Sequence, residues 1–498
     1  MSEVVVHRQR SVASLLMMLM ALALGASGYL LTNLNQYDAL PRDWLMTVGP
    51  AQFGGPWYVG VGAWFALGLL AWGITKWRLP YADPIILPVV FLLTGLGISM
   101  IHRLDQADGL RSAELQMLWL FAAVTVYGLA VVFLRDHRRL QRYTYVWFLG
   151  GLALLMMPLL PVLGRENHGA RIWISVGPFS FQPSELAKVV LAIAFAAYLV
   201  EKRDVLAMAG RRILGIDLPR ARDLGPIGIA WGFALVILVF QRDLGTTLLF
   251  FGLFVMMLYV ATERVGWAIL GLLMFLVLGF LGYTLFDHVQ TRFASWLHPF
   301  TDYDRNLQVI SAQFGLAWGG LFGTGWGEGR PYLTPLAKND FIAAALGEEL
   351  GLVGFCALVL LFGLIVARVM RTALASTEPF GKLLAAGVAF VFALQVFTIV
   401  GGVTRLLPLT GVTTPFVSQG GSSLIANYLL VGLMMTITHQ ARRPQLTPAA
   451  SGEYASLSGD TTAALPSLGA TAGSSPATAP RPDPADYGGQ PAAGGEGR

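Results

Sequence analysis

The sequence predicts an all-α polytopic bundle of about twelve membrane-spanning helices (ten to twelve), with both termini on the cytoplasmic side. Three observations point there. Of 498 residues, 55% are hydrophobic and 13% charged, about half the charged share of a soluble domain. A mean hydropathy of +0.61 over this length cannot come from one buried core, so lipid must serve as solvent for much of the surface. Apolar runs of spanning length also recur along the chain, and the segments between them carry Lys and Arg on alternate sides.

The apolar runs lie near 11–31, 57–75, 85–101, 116–134, 143–162, 185–200, 225–241, 245–261, 267–286, 342–367, 383–402 and 422–438. The first follows His7, Arg8 and Arg10 without a small-residue cleavage site and reads as an uncleaved span. The seventh and eighth are separated only by Arg242, Asp243 and Leu244, a tight turn at a membrane face. With the N-terminus inside, Arg8 and Arg10, Lys76 and Arg78, the Arg135–Arg142 cluster, the 202–222 cluster, Arg264, Arg368 to Lys382, and Arg442 and Arg443 all fall in cytoplasmic segments. That is most of the 34 Lys and Arg, as the positive-inside rule requires. An odd number of spans breaks the agreement.

Two parts are not membrane. The stretch 287–341 is the longest internal gap and falls outside. The tail 444–498 is rich in Pro, Ala, Gly, Ser and Thr, cannot bury enough apolar surface to offset chain entropy, and is expected to be disordered in the cytoplasm. Ser456, Ser458, Thr461 and Thr462 offer modification or docking positions there.

Composition also excludes chemistries. The single cysteine, Cys356, sits in an apolar run, so no disulfide within the chain and no cysteine-based zinc site is available. The seven histidines show no His-Glu-x-x-His spacing. The net charge of +5 sits in short loops, where it sets orientation rather than inviting nucleic acid.

Polar groups near lipid are costly and therefore informative. Four clusters stand out, all placed on the outer side. The first reads HGARIWISVGPFSFQPSELAK from His168 to Lys188. Arg171 precedes a Gly-Pro turn, then Gln182, Pro183, Ser184 and Glu185 open a span, with Ser184 expected as its N-cap. Glu185 and Lys188 are three apart and share a helix face. They are either an ion pair that orients one helix or a cavity wall facing substrate. The second cluster is Gln241 to Thr246, where Arg242 and Asp243 form either a capping turn or a contact to an anionic head group.

The third cluster is the outer loop, with GTGWGEG at 323–329, then Asp340 and Phe341, then Gly347 to Gly351. The glycine run follows no strand and lacks a Gly-Lys-Ser/Thr ending, so it is no phosphate loop. Its glycines are expected to let the backbone lie close against the helices. Asp340 sits where the chain re-enters the membrane. It is either a favourable charge at a helix N-terminus or a functional acid. The fourth cluster reads RLLPLTGVTTPFVSQGGSSL from Arg405. Its prolines and glycines break the helix at membrane depth, which is tolerated only against protein or a water-filled cavity. The amides of Gly420 and Gly421 and the hydroxyls of Ser418, Ser422 and Ser423 are candidates to hold an anion. By themselves these residues describe an outward polar cavity suited to an anionic ligand, and they do not separate an enzyme from a transporter.

The four strings, in this order over about 145–440, resemble the SEDS family of FtsW, RodA and SpoVE, and the wording GGVTRLLPLTGVTTPF resembles its actinobacterial RodA-type members. The resemblance makes 143–440 the family core, preceded by additional helices in 11–134. It implies a peptidoglycan glycosyltransferase in the plasma membrane that joins lipid II into a nascent glycan strand. It also implies a class B penicillin-binding protein as transpeptidase partner. The family's essential acid corresponds to Asp340. The donor sugar carries an α-linked diphosphate and the product bond is β-1,4, so attack inverts the anomeric centre. A carboxylate near the acceptor hydroxyl serves as base, and the departing diphosphate needs charge neutralisation. Arg171, Lys188, Arg242 and Arg405 are the candidate cations, and a divalent cation (Mg²⁺ or Mn²⁺) between diphosphate and Asp340 fits the same need. The chain departs from the family pattern at Ile172, Asn339, Gln419 and Arg242. A lipid II flippase and a scaffold that only recruits the transpeptidase are the alternative readings.

Overall fold

The chain is described from a computed structural model, which defines residues 2–37, 44–48, 51–55, 57–134, 136–161, 163–167, 170–176, 179–207, 211–213, 216–218 and 240–443, with 232 and 236. The tail at 444–498 lies outside the described residues, as does nearly all of the expected span at 225–241.

Among the described residues ten helices are long and apolar enough to cross a membrane. They are α1 (Ser2–Tyr37), α2 (Trp57–Arg78), α3 (Ile86–Asp108), α4 (Ser112–Phe133), α7 (Pro183–Ala207), α8 (Leu244–Thr262), α9 (Val265–Leu285), α12 (Ile342–Ala375), α13 (Pro379–Val403) and α14 (Gly421–Arg442). A shorter apolar helix, Thr144–Leu159, stands at the fifth expected span; its α-helical part is α6 (Thr144–Met156), preceded by the single turn α5 (Arg138–Gln141). The loop at 287–341 folds into α10 (Asp287–Leu297) and α11 (Tyr303–Gly319). Small antiparallel sheets, which the reading of an all-α chain did not anticipate, decorate the bundle: β1 (Trp44–Val48) with β2 (Ala51–Gly55), β3 (Gly164–Asn167) with β4 (Ala170–Val176) and β5 (Phe179–Phe181), and β6 (Arg211–Ile213) with β7 (Ile216–Leu218).

Burial sorts these helices into a centre and a rim. In α3, α7 and α14 over four fifths of the spanning window is buried, whereas α9 buries only Gly266, Trp267 and Gly271. Leu272, Leu273, Leu276, Val277 and Phe280 of α9 all stand exposed. A contiguous face of that kind is untenable in water and ordinary in lipid. Small residues set the closest helix approaches, as expected where lipid removes the hydrophobic drive between helices. A Cβ on Gly95 of α3 would stand 2.8 Å from the Gly25 Cα of α1.

The two ends of the bundle are knit differently. At one end Asp83, before α3, pairs with Arg368 of α12 (3.0 Å) and with Arg442 of α14. His137 meets Glu378 at 2.9 Å, and Gln440 donates to Asp136. Every one of these residues belongs to a segment assigned to one side by the Lys and Arg count. The other end carries 108–112, α10, α11, the glycine run and the irregular segment 404–420.

That irregular segment is packed against protein, as its depth demands. Val417 is fully buried, and a Cβ on Gly97 of α3 would stand 2.4 Å from its carbonyl oxygen. The glycine run also lies against a helix. α12 is broken at Gly351, whose φ of +71° is left-handed. The amides freed by the break are satisfied by the run, since Leu352 N donates to Gly320 O and Val353 N to Leu321 O. In return Thr324 N donates to Glu348 O and Gly325 N to Glu349 O. A Cβ on Gly351 would stand 2.2 Å from Gly323 N, so the contact admits only glycine.

Candidate active site

Asp340 is delivered to its position by the residues just before it. Lys338 Nζ lies 2.7 Å from Asp105 Oδ1 and 2.9 Å from Asp108 Oδ2, at the end of α3. Asp105 Oδ2 also accepts from Ala113 N, which joins α3 to α4. Gln419 N donates to Lys338 O (2.8 Å), and Ser418 Oγ donates to Asn339 O (2.6 Å) while accepting from Thr414 N. Gln116 of α4 bonds Ser418 O and Gly420 N. The residues on either side of the acid are thus tied down, while α12 has no side-chain cap bond at its N-terminus. Asp340, one residue before the Phe341 N-cap, makes no capping bond to α12.

What faces Asp340 is Arg292 of α10. A Cβ on Gly411 would lie 3.9 Å from Asp340 Oδ2 and 4.0 Å from both Nη1 and Nη2 of Arg292. Acid and guanidinium therefore flank one bare glycine, whose φ of +75° also suits glycine alone. Arg292 Nη1 donates to Leu409 O at 3.0 Å, and Trp296 Nε1 and Arg405 Nη2 exchange bonds with each other's carbonyls. These contacts strap α10 to the irregular segment.

The electrostatics set the acid apart. Burial pushes the Asp340 carboxyl up to about 6, Arg292 opposes the rise, and Asp243 adds to it. Asp243 is itself raised, first by burial and less by Glu185, against the bonds from Thr246 and the charge of Arg292. Burial lowers Arg292, opposed by both acids.

Behind Gly411 lies a narrow cleft whose polar wall is Gln182, Ser184, Glu185, Lys188, Thr246 and Thr413. Glu185 Oε2 and Lys188 Nζ are 2.7 Å apart, as their spacing predicts. Lys188 Nζ also donates to Asn427 Oδ1 (3.0 Å), and Thr413, Ser423 and Asn427 complete the network. The pair is both a helix ion pair and a cavity wall.

Several expectations are corrected. α7 begins at Pro183, so Ser184 lies within its first turn and accepts from Gln182 Nε2 rather than capping the helix. The hydroxyls of Ser418 and Ser423 are spent on internal bonds, Ser422 is buried, and Gly421 backs onto the Trp119 ring. As it stands, that segment braces the acid. Asp243 caps α8 through Thr246 N, while Arg242 sits in an exposed left-handed turn (φ +60°) and Arg171 on an exposed strand. Neither lines the cleft. Arg405 acts as a strap. The cation beside the acid is Arg292, which the reading of spans left inside an undifferentiated loop. Its signal was the amphipathic spacing of Val289, Phe293 and Trp296, which marks 287–297 as a surface helix.

A half-buried acid and a guanidinium at the rim of a cleft, braced by an irregular segment within a multi-pass helical bundle, define a class of membrane protein with a polar site at one end. The "Cell cycle protein" profile of FtsW, RodA and SpoVE matches residues 83–443, and the chain belongs to that family. It is 48% identical over 376 residues to "Peptidoglycan glycosyltransferase RodA" of Mycobacterium tuberculosis, covering 74% of this chain and 80% of that one. The corresponding protein of Mycobacterium leprae is 47% identical over 373 residues, covering 73% and 79%. "Probable peptidoglycan glycosyltransferase FtsW" of a Geobacter species is 33% identical, covering 72% and 97%. A solved chain from "Structural coordination of polymerization and crosslinking by a peptidoglycan synthase complex" superposes with a TM-score of 0.57 at 27% identity, over 73% of this chain and 99% of that one. The family match begins at residue 83, so α1 and α2 precede it.

Proposed function

We propose that this multi-pass membrane protein is a peptidoglycan glycosyltransferase that polymerises lipid II on the outer face of the membrane, with Asp340 as general base and Arg292 as the cation beside it. The observation that carries the reading is the raised acid and a guanidinium set on either side of Gly411 at the mouth of the cleft. With its pKa near 6, Asp340 is ionised at neutral pH yet basic enough to accept a proton. It takes the proton of the acceptor sugar 4-hydroxyl as that oxygen attacks the donor's anomeric carbon. The β-1,4 bond forms, the bond to the diphosphate oxygen breaks, and undecaprenyl diphosphate departs as an anion. Arg292 answers the charge on that oxygen. Gln182, Glu185 and Lys188 line the space beyond, where a sugar-phosphate would lie.

Among the described residues no three His, Cys, Asp or Glu are grouped to hold a metal. Asp340 and Asp243 are the carboxylates that Mg²⁺ or Mn²⁺ would share with substrate phosphate oxygens, the mode usual for Mg²⁺. Such an ion would neutralise the leaving diphosphate. The outer placement is supported by the Lys and Arg distribution. A class B penicillin-binding protein as partner is supported by the likeness to a chain from a peptidoglycan synthase complex that coordinates polymerisation and crosslinking.

The test is polymerisation of labelled lipid II by the purified chain, with and without the cognate transpeptidase and a chelator, comparing wild type with Asp340→Asn. Glycan strands from wild type and none from the variant are expected. Strands of normal length from Asp340→Asn would remove the acid from the reaction. Labelled lipid that crosses vesicle leaflets without being joined would favour transport instead.

A further inference from the structure

A second cavity lies away from Asp340, on the other flank of α3. Open along one side, it is walled by α1, α2, α3 and α4. Two of its four walls, α1 and α2, stand before residue 83, where the family match begins. The lining changes along its depth. Gly25, Val61, Gly95, Ile98 and Met117 make it apolar, while Tyr29, His102 and Glu114 cluster toward the end of the bundle that carries the active site. Tyr58 and Val59, at the start of α2 next to the lining residues Gly60 and Val61, are exposed.

The polar end has a particular chemistry. The rings of Tyr29 and His102 lie 4.4 Å apart, centroid to centroid, and the indole of Trp64 lines the same space. Glu114 adds a carboxylate in the first turn of α4. Aromatic rings grouped with one acid suit an ammonium group. Just outside, Arg111 Nη1 donates to Glu114 Oε1 (3.3 Å) with its side chain 45% exposed, so the outward edge of the paired guanidinium can meet a phosphate. Acid within and guanidinium without, spaced one helical turn apart, match a zwitterion in charge order. An apolar pocket below them matches a hydrocarbon chain.

We propose that this cavity binds a zwitterionic glycerophospholipid, an acyl chain in the pocket, its primary ammonium group at Glu114, Tyr29 and His102, and its phosphate at Arg111. Occupancy bears on the active site through α3. The turn carrying His102 also carries Arg103, which holds Glu349 at 3.1 Å and the carbonyls of Gly327 and Gly329, and Asp105, which holds Lys338. From α1, Thr32 Oγ1 accepts from Trp326 Nε1 of the glycine run (2.8 Å). A lipid that fixes α1 against α3 therefore steadies both tethers of the Asp340 loop. The binding itself does not depend on the role given to Asp340.

The test is native mass spectrometry of the full chain in detergent with phosphatidylethanolamine and phosphatidylglycerol of identical acyl chains. Wild type is expected to retain phosphatidylethanolamine about tenfold better, the ratio that an ammonium gains from one aromatic face beside a carboxylate. Glu114→Gln should bring the two lipids to parity with thermal stability unchanged. Val61→Trp, which fills the pocket from α2, should lose both, and Met117→Trp does the same from α4 should the first variant fail to fold. Equal retention by wild type, the signature of annular lipid only, overturns the proposal. So does undiminished phosphatidylethanolamine retention in Glu114→Gln or in the folded pocket-filling variant.

Discussion

The two ends of this bundle solve opposite problems. At the end bearing Asp83, charges are matched: Asp83 meets two arginines, and Glu378 meets His137 while capping α13 through Phe380 N and Gly381 N. At the end bearing Asp340, the backbone is irregular and carries four of the five non-glycine residues that are left-handed among the described residues, namely Arg242, Leu336, Arg405 and Phe416. Each such residue costs on the order of 1–3 kcal/mol unless its surroundings impose it. The ion pairs nearby brace that backbone, while the acid itself is left with its pKa raised. One end contributes cohesion, and the other spends it to hold a carboxylate where water would not leave it.

That contrast can be broken by substitution. Asp340→Asn should lose polymerisation by roughly 10²–10⁴-fold, the range of a general base. Its stability should not fall at neutral pH. A carboxyl raised to about 6 from 3.8 holds more protons folded than unfolded between those values, so folded-state stability drops as pH rises through that window. Asparagine escapes the drop, and thermal melts at pH 5 and pH 7.5 check the sign. A melt of Asp340→Asn far below wild type at pH 7.5 would mean the acid is structural.

Arg292→Gln should cost about 10–100-fold in turnover if the guanidinium meets developing charge. Because Arg292 lowers the acid's pKa, its removal should also move the acid limb of the pH–rate profile upward. The wild-type limb is expected near pH 6, with rate falling about tenfold per unit below it. An unshifted limb in Arg292→Gln would separate the two groups.

At the opposite end the largest effect should be on stability. Arg368→Ala leaves the buried Asp83 with less compensation and should cost up to about 3–5 kcal/mol, seen as a lowered melting temperature, with near-normal activity per folded molecule. Gly351→Ala crosses the contrast. Its methyl group would meet Gly323 N, and a loss of about 1–3 kcal/mol should accompany a fall in activity, because the glycine run and α12 move together. Normal activity in Gly351→Ala would uncouple the run from the acid.

Local pattern revealed the spans, the re-entry point of Asp340, the Glu185–Lys188 pair and the breaker-rich stretch from Arg405, because each is written in neighbouring residues. Long-range partners were not written there. Arg292 meets Leu409 across 117 positions, and Lys338 meets Asp105 across 233. Neither spacing has a period to read. The serines of 418–423 misled for a related reason: a hydroxyl's partner depends on which backbone is packed against it, and Ser418 is satisfied by Asn339 and Thr414. Counting cations found the loops that share one side, and the Asp83 and Glu378 contacts join those same loops.

The break at Gly351 divides α12 unevenly. Residues 352–367, which end at Arg368 of the charge-matched end, measure about 24 Å as a helix, short of a hydrocarbon layer of about 30 Å. The break therefore falls inside that layer, where freed amides find no water, and the glycine run serves them as a plug of backbone let down from above.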